Sequence, residues 1–197
     1  YDATNSRYEY INADFSTLYQ QLDGTHIWST AASGSADGAI TFSEVMKIDA
    51  TGAITKPLQP AFSAKRTSNQ SAIGVNASTT VAFDTEVFDQ NADFDTSLYR
   101  FTAPVTGRYQ INTVLYLQTV DEDASYYYIE IDSSNRDIFN IIDIDQFDDD
   151  LDFYTFTLSQ LIDMDANDTV RINIIQQGGS QQTEINSNSY FSGYLVA

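Results

Sequence analysis

At 197 residues the chain has room for one full domain plus an appendage. Its net charge of −19, from 28 acidic against 9 basic residues, opposes nucleic acid, whose phosphates need Lys and Arg, and opposes docking onto anionic membranes. The absence of Cys excludes disulfide staples and thiolate metal sites, while 42% hydrophobic residues, rich in Tyr and Phe, allow a sizeable core and favour strands over helices.

No apolar run approaches the roughly 18 residues of a membrane span, and no signal peptide is visible, so membrane insertion is not expected. The first residue is Tyr1 and not Met, which reads as a fragment, a processed product or part of a longer chain. Without disulfides, stability outside a cell must come from core size, oligomerisation or bound ions.

Residues 1–59 are polar and Gly-punctuated. Ile11, Phe15, Leu18, Tyr19 and Leu22 recur at helical spacing, which predicts a helix within Tyr8 to Leu22. Short strands follow through Ile27-Trp28, Ile40-Thr41-Phe42 and Val45-Met46-Lys47-Ile48. Apolar residues are too thin here for a private core, so this region reads as a short fibrous, intertwined stalk that packs between chains. Pro57 and Pro60 punctuate its end, since Pro disfavours both helix and central strand.

Beyond Pro60 the hydrophobic period becomes two. Tyr109, Ile111, Thr113, Leu115 and Leu117 alternate with polar neighbours, as do Ile129 and Ile131, and Val170, Ile172 and Ile174. Each run predicts a strand with one buried face. Turn clusters at Ala166-Asn167-Asp168 and Gln177-Gly178-Gly179-Ser180 separate them, and many short strands predict an all-β sandwich or barrel. The last strand is apolar on both faces, with Phe191, Gly193 and Leu195 on one side and Tyr190, Tyr194 and Val196 on the other. It is therefore expected to be buried on both sides, one of them against an adjacent subunit.

One spacing is specific: Phe83, five residues, Asp89, four residues, Phe94, six residues, Phe101, five residues, Gly107, one residue, Tyr109. This resembles the signature of the C1q domain family, whose fold is shared with tumour necrosis factor. The string from Phe101 to Tyr109, the opening Pro60-Ala61-Phe62-Ser63-Ala64 and the closing Tyr190-Phe191-Ser192-Gly193-Tyr194-Leu195 are similar to family segments. Ile111 and Thr113 depart from it, standing where the family usually has aromatics; both keep strand propensity. The resemblance covers residues 60–197. It implies a C1q/TNF-like jelly-roll head forming a tight homotrimer, with Phe83, Asp89, Phe94, Phe101, Gly107, Tyr109, Phe191, Gly193 and Tyr194 specifying fold and subunit contact and catalysing nothing.

Upstream, Trp28 to Gly34, Ile40-Thr41-Phe42, Met46-Lys47-Ile48 and Gly52 resemble connector segments of bacteriophage tail fibres and spikes. There is no Gly-X-Y repeat, so a collagen stalk is not expected.

More than half of the carboxylates lie in residues 121–168. Asp143, Asp145, Asp148, Asp149, Asp150 and Asp152 offer part of a calcium shell, which takes six to eight oxygens, although EF-hand spacing is missing; a solvated acidic loop is the plainer reading. Asp121-Glu122-Asp123 is a second acidic loop. Asp143 with Asp145, or Asp148 with Asp150, could serve as a glycosidase pair only in name, as such pairs occur in any acidic loop. Tyr126 and Tyr128 are candidate sugar-stacking residues, with Tyr127 facing the core by alternation. His26, the sole histidine, has no second His or Cys to complete a catalytic set and is expected to pack against neighbouring chains. Gly178-Gly179 reads as a turn, because no phosphate-binding Lys-Ser/Thr follows.

The expected function is host-receptor recognition at the tip of a phage tail appendage, on the extracellular face of a virion, against a bacterial surface polysaccharide or protein. No enzyme activity and no cofactor is expected beyond the calcium possibility. A trimerisation cap that touches no host, a secreted bacterial C1q-like lectin and a polysaccharide depolymerase remain open.

Overall fold

The computed structural model describes residues 1–71 and 73–197, and its first regular element is a hairpin. Asp23 and Gly24 both take positive φ, 48° and 77°, as a two-residue type I′ turn requires. The turn folds β1 (Ser16–Leu22) back on β2 (Thr25–Ala31), with Leu22 opposite Thr25 and Tyr19 opposite Trp28. The helix expected within Tyr8 to Leu22 is therefore not formed. Its supposed apolar stripe has no core to face: Ile11 is 88% exposed, and Phe15 and Leu22 are also exposed. Turn chemistry and cross-strand pairing outweigh an accidental helical period.

Strand β3 (Ser43–Ile48) adds to β2, and β4 (Ile54–Thr55) completes a four-stranded sheet in the order β1-β2-β3-β4. These strands lie within a compact unit, Tyr1–Leu58. Its buried hydrophobic residues are Tyr10 and Ala31, while Tyr1, Tyr8, Phe15, Tyr19, Ile54 and Leu58 are open.

The second unit, Gln59–Ala197, is a two-sheet sandwich. In chain order its strands are β5 (Ala61–Lys65), β6 (Ser78–Thr80), β7 (Thr85–Asp89), β8 (Phe94–Asp95), β9 (Arg100–Thr102) and β10 (Gly107–Val120). They continue as β11 (Ala124–Ser133), β12 (Asp137–Asp143), β13 (Leu151–Met164), β14 (Thr169–Gly178), β15 (Glu184–Ile185) and β16 (Tyr190–Leu195). One sheet runs β13-β10-β16-β5-β7 with β15 also on β10; the other runs β12-β11-β14-β9-β8 with β6 also on β14. Among the described residues these strands pair antiparallel, and many pairings join strands far apart in sequence, as a jelly roll does.

Alternation fixes which side chains fill the space between the sheets. Tyr109, Ile111, Leu115 and Leu117 point in from β10; Tyr127, Ile129 and Ile131 from β11; Val170, Ile172 and Ile174 from β14. An aromatic cluster anchors one part of this core. Phe62 stacks on Phe101 at 4.7 Å and on Phe94 at 5.1 Å, with Phe191 edge-on to Phe62 at 4.9 Å. Each fully buried Phe contributes about 1.5–3 kcal/mol of transfer free energy.

Candidate functional site

The signature residues build the fold first. Phe83, Phe101, Tyr109 and Phe191 are completely buried, and Phe94 nearly so. The Tyr109 hydroxyl donates to the Val105 carbonyl at 2.7 Å, tying β10 to the turn before it. Asp89 Oδ2 accepts the Phe94 amide at 2.8 Å and so holds the turn between β7 and β8. Gly107 and Gly193 are places of close approach. A Cβ on Gly107 would lie 2.6 Å from Leu195 Cδ1, and one on Gly193 would lie 2.7 Å from Ile111 Cδ1. Ile111 and Thr113, the two departures from the usual aromatics, are both buried, and Thr113 Oγ1 donates to the Tyr190 carbonyl at 3.0 Å.

Two outer sheet faces remain. On the first, cross-strand rows join Thr157, Val114 and Tyr190; Ser159, Asn112 and Ser192; and Leu161, Gln110 and Tyr194. Tyr190 is 43% and Tyr194 49% exposed in the single chain, and Val114 and Leu161 are open as well. The final strand thus buries Phe191 and Gly193 while its tyrosines face outward. None of the residues in these three rows is charged, although the chain carries −19. Ser159 Oγ donates to Asn112 Oδ1 at 2.7 Å and accepts from Gln110 Nε2 at 3.0 Å, so the face's polar groups partner one another.

The second outer face belongs to β12, β11 and β14. Its rows are Asp143, Tyr126 and Gln177; Ile141, Tyr128 and Ile175; Phe139, Glu130 and Asn173; and Asp137, Asp132 and Arg171. Tyr126 and Tyr128 lie side by side with ring centroids 6.1 Å apart, and Tyr128 meets Phe139 at 5.7 Å. Phe139 and Ile141 are 61% and 53% exposed. Sequence reasoning found the two tyrosines but missed Phe139 and Ile141. Their signal was the run Ile138 to Ile142, whose alternate residues turn inward at Ile138 and Ile142. Tyr127 points the other way, fully buried, its hydroxyl 2.7 Å from Thr183 Oγ1.

The acidic loops meet, but not as a metal cage. Asp150 accepts the Glu122 amide at 3.0 Å and the Gln182 side chain at 2.7 Å. The Glu122 carboxyl is held above its usual range, chiefly by the charge of Asp123 and also by those of Asp150, Asp121 and Asp149. Asp143 ends β12 beside Tyr126 and accepts the Asp145 amide, while Asp148, Asp149 and Asp152 are exposed. Among the described residues, no group of three or more His, Asp or Glu is placed to hold a metal ion.

In the first unit, His26 stacks with Tyr19 and Trp28 of its own chain, and its Nδ1 lies 2.5 Å from the Tyr19 hydroxyl. These contacts all lie within the hairpin of β1 and β2. Among the described residues no helix is long and apolar enough to cross a membrane.

Comparison with known proteins bears on the second unit. The C1q domain family matches residues 61–196. The zebrafish complement 1qA globular domain superposes with a TM-score of 0.54 at 18% identity, covering 71% of this chain and 98% of that one. Murine APRIL superposes at 0.50 with 8% identity, covering 70% of this chain and 99% of that one. No curated protein matches in sequence. With its signature side chains packed into one all-β jelly-roll core, and the family match spanning well over half its length, the chain belongs to the C1q domain family.

Proposed function

We propose that the chain forms a homotrimeric adhesion tip on a bacteriophage tail fibre or spike, and that it binds a bacterial surface receptor without catalysis. Three adjoining uncharged rows on the outer face of β13, β10 and β16, bordered by the pair Arg108 and Asp163, carry this reading. Copies of a chain with charge −19 repel one another, and like charges set against each other across an interface cost several kcal/mol. Rows of Tyr, Val, Leu, Ser, Thr, Asn and Gln avoid that cost and would bury apolar area. A C1q-like head closing three-fold would cover it, and each subunit would then present the same loops and outer sheet to a host. Trimeric display multiplies weak contacts by avidity.

The first unit supports a fibre setting. It buries almost no apolar side chains of its own, which suits a stalk completed by other copies. The likeness of Trp28 to Gly34 and of the following short strands to tail-fibre connectors favours a virion over a free lectin.

The test is to add labelled protein to a panel of bacterial strains and then challenge bound strains with phage. Saturable binding that blocks adsorption is the expected result. Binding to no strain would leave the head as a trimerisation cap and overturn the adhesion reading. New reducing ends released from surface polysaccharide would overturn binding without chemistry.

A further inference from the structure

The face of β12, β11 and β14 combines two kinds of group that seldom share an exposed sheet. Tyr126, Tyr128, Phe139 and Ile141 form a continuous apolar surface. Carboxylates border it in the same rows and columns: Asp143 beside Tyr126, Glu130 beside Phe139, and Asp137 one step further along β12. The one cation in these rows, Arg171, is engaged by Asp132, with Nε 2.7 Å from Oδ2. Asn173 donates to both Glu130 and Asp132, at 3.1 and 3.0 Å, and fixes their position.

This face differs from the three uncharged rows on the other sheet. Two copies meeting here would oppose Asp137, Glu130 and Asp143 of one to those of the other, so self-association is disfavoured. A neutral, purely apolar partner would leave the carboxylates unanswered, and a polyanion would meet the −19 field. Aromatic rings attract ammonium groups through their faces and pack against the apolar faces of sugars, and carboxylates pair with the same ammonium groups. The rings recur at about one strand repeat, 6.1 and 5.7 Å apart, which suits a linear ligand made of repeating units. Charge around Tyr128 points the same way: its phenol is held above its usual range, first by desolvation and then by Glu130, Tyr126 and Asp137.

We propose that this face binds a polysaccharide of amino sugars bearing free, protonated amines, with Tyr126, Tyr128 and Phe139 stacking on the sugar rings and Glu130, Asp137 and Asp143 pairing with the amines. The proposal rests on the adhesion reading and names the receptor class for it.

The experiment titrates the full chain, at mildly acidic pH, with glucosamine oligomers, with fully N-acetylated oligomers of equal length, and with oligolysine of equal charge. The glucosamine oligomers are expected to bind about tenfold more tightly than either control. Phe139→Ser, at a site exposed enough to spare the fold, should weaken binding roughly fivefold to tenfold, as should Asp137→Asn combined with Asp143→Asn. Asp148→Asn with Asp149→Asn, which removes as much charge elsewhere, should change it less than about twofold. Equal binding of oligolysine, equal binding of the acetylated oligomer, or an equal loss in the Asp148/Asp149 variant would each overturn the proposal. If the wild-type chain adheres to cells and Phe139→Ser adheres as well, this face is not the receptor site and the adhesion reading stands. If glucosamine oligomers bind as expected while no cell is bound, the adhesion reading falls and the site remains.

Discussion

Gly193 lies where the last strand passes closest to the core. A methyl group there would press on Ile111 and on the Phe62 ring, 2.7 and 2.9 Å away. Gly193→Ala should therefore destabilise the head by about 1–3 kcal/mol, read as a lower denaturation midpoint. Asp93 makes the opposite case. Its Oδ2 and Asp89 Oδ1 are buried without hydrogen-bond partners. Desolvation first, and then the charge of Asp89, push the Asp93 carboxyl above its usual range. A carboxyl whose folded pKa is raised favours the proton in the folded state, so its ionisation costs stability at neutral pH and the cost disappears as pH falls through the folded pKa towards the ordinary 3.8. Asp93→Asn should raise the thermal midpoint at pH 7. That gain should shrink as the buffer is acidified, and a gain that grew on acidification would contradict the assignment. Tyr127, whose partners Thr183 and Asp121 are buried with it, should lose about 1–2 kcal/mol on Tyr127→Phe.

Among the elements, the strands that fill the core were readable because alternation is a local signal. Phe83, Phe101 and Tyr109, in the spacing that resembles the C1q signature, and Phe191, in the last strand, are all fully buried. In the first hairpin the helical period of Ile11, Phe15 and Leu22 misleads, because the Asp23-Gly24 turn decides the local structure. The aromatic–acidic face was half legible. Tyr126 and Tyr128 share a strand, but their contacts Phe139 and Ile141 come from β12, and no local pattern says which strand will pair with β11. The partners of the aspartates were not legible for the same reason: density along the chain does not say what each meets in space, and Asp150 turns to Glu122 and Gln182. In the uncharged rows, Tyr194→Glu should dissociate the proposed trimer while leaving the head folded, because the side chain is outward and half exposed. Size-exclusion elution at the single-chain position with an unchanged circular dichroism spectrum is the expected pair of observations.

For the molecule as a whole, the two units have different means of stability. The head has a continuous core from both sheets. The first unit has Tyr10 and Ala31 and many open aromatics, so residues 1–58 alone should remain unfolded when dilute, with flat near-ultraviolet dichroism. On the proposed reading function depends on assembly, since avidity and a completed stalk both require several copies. The measurement that bears most directly on this is the native mass of the intact chain. The account predicts three times the 22.0 kDa of one chain, persisting on dilution; a particle of 22.0 kDa would contradict it.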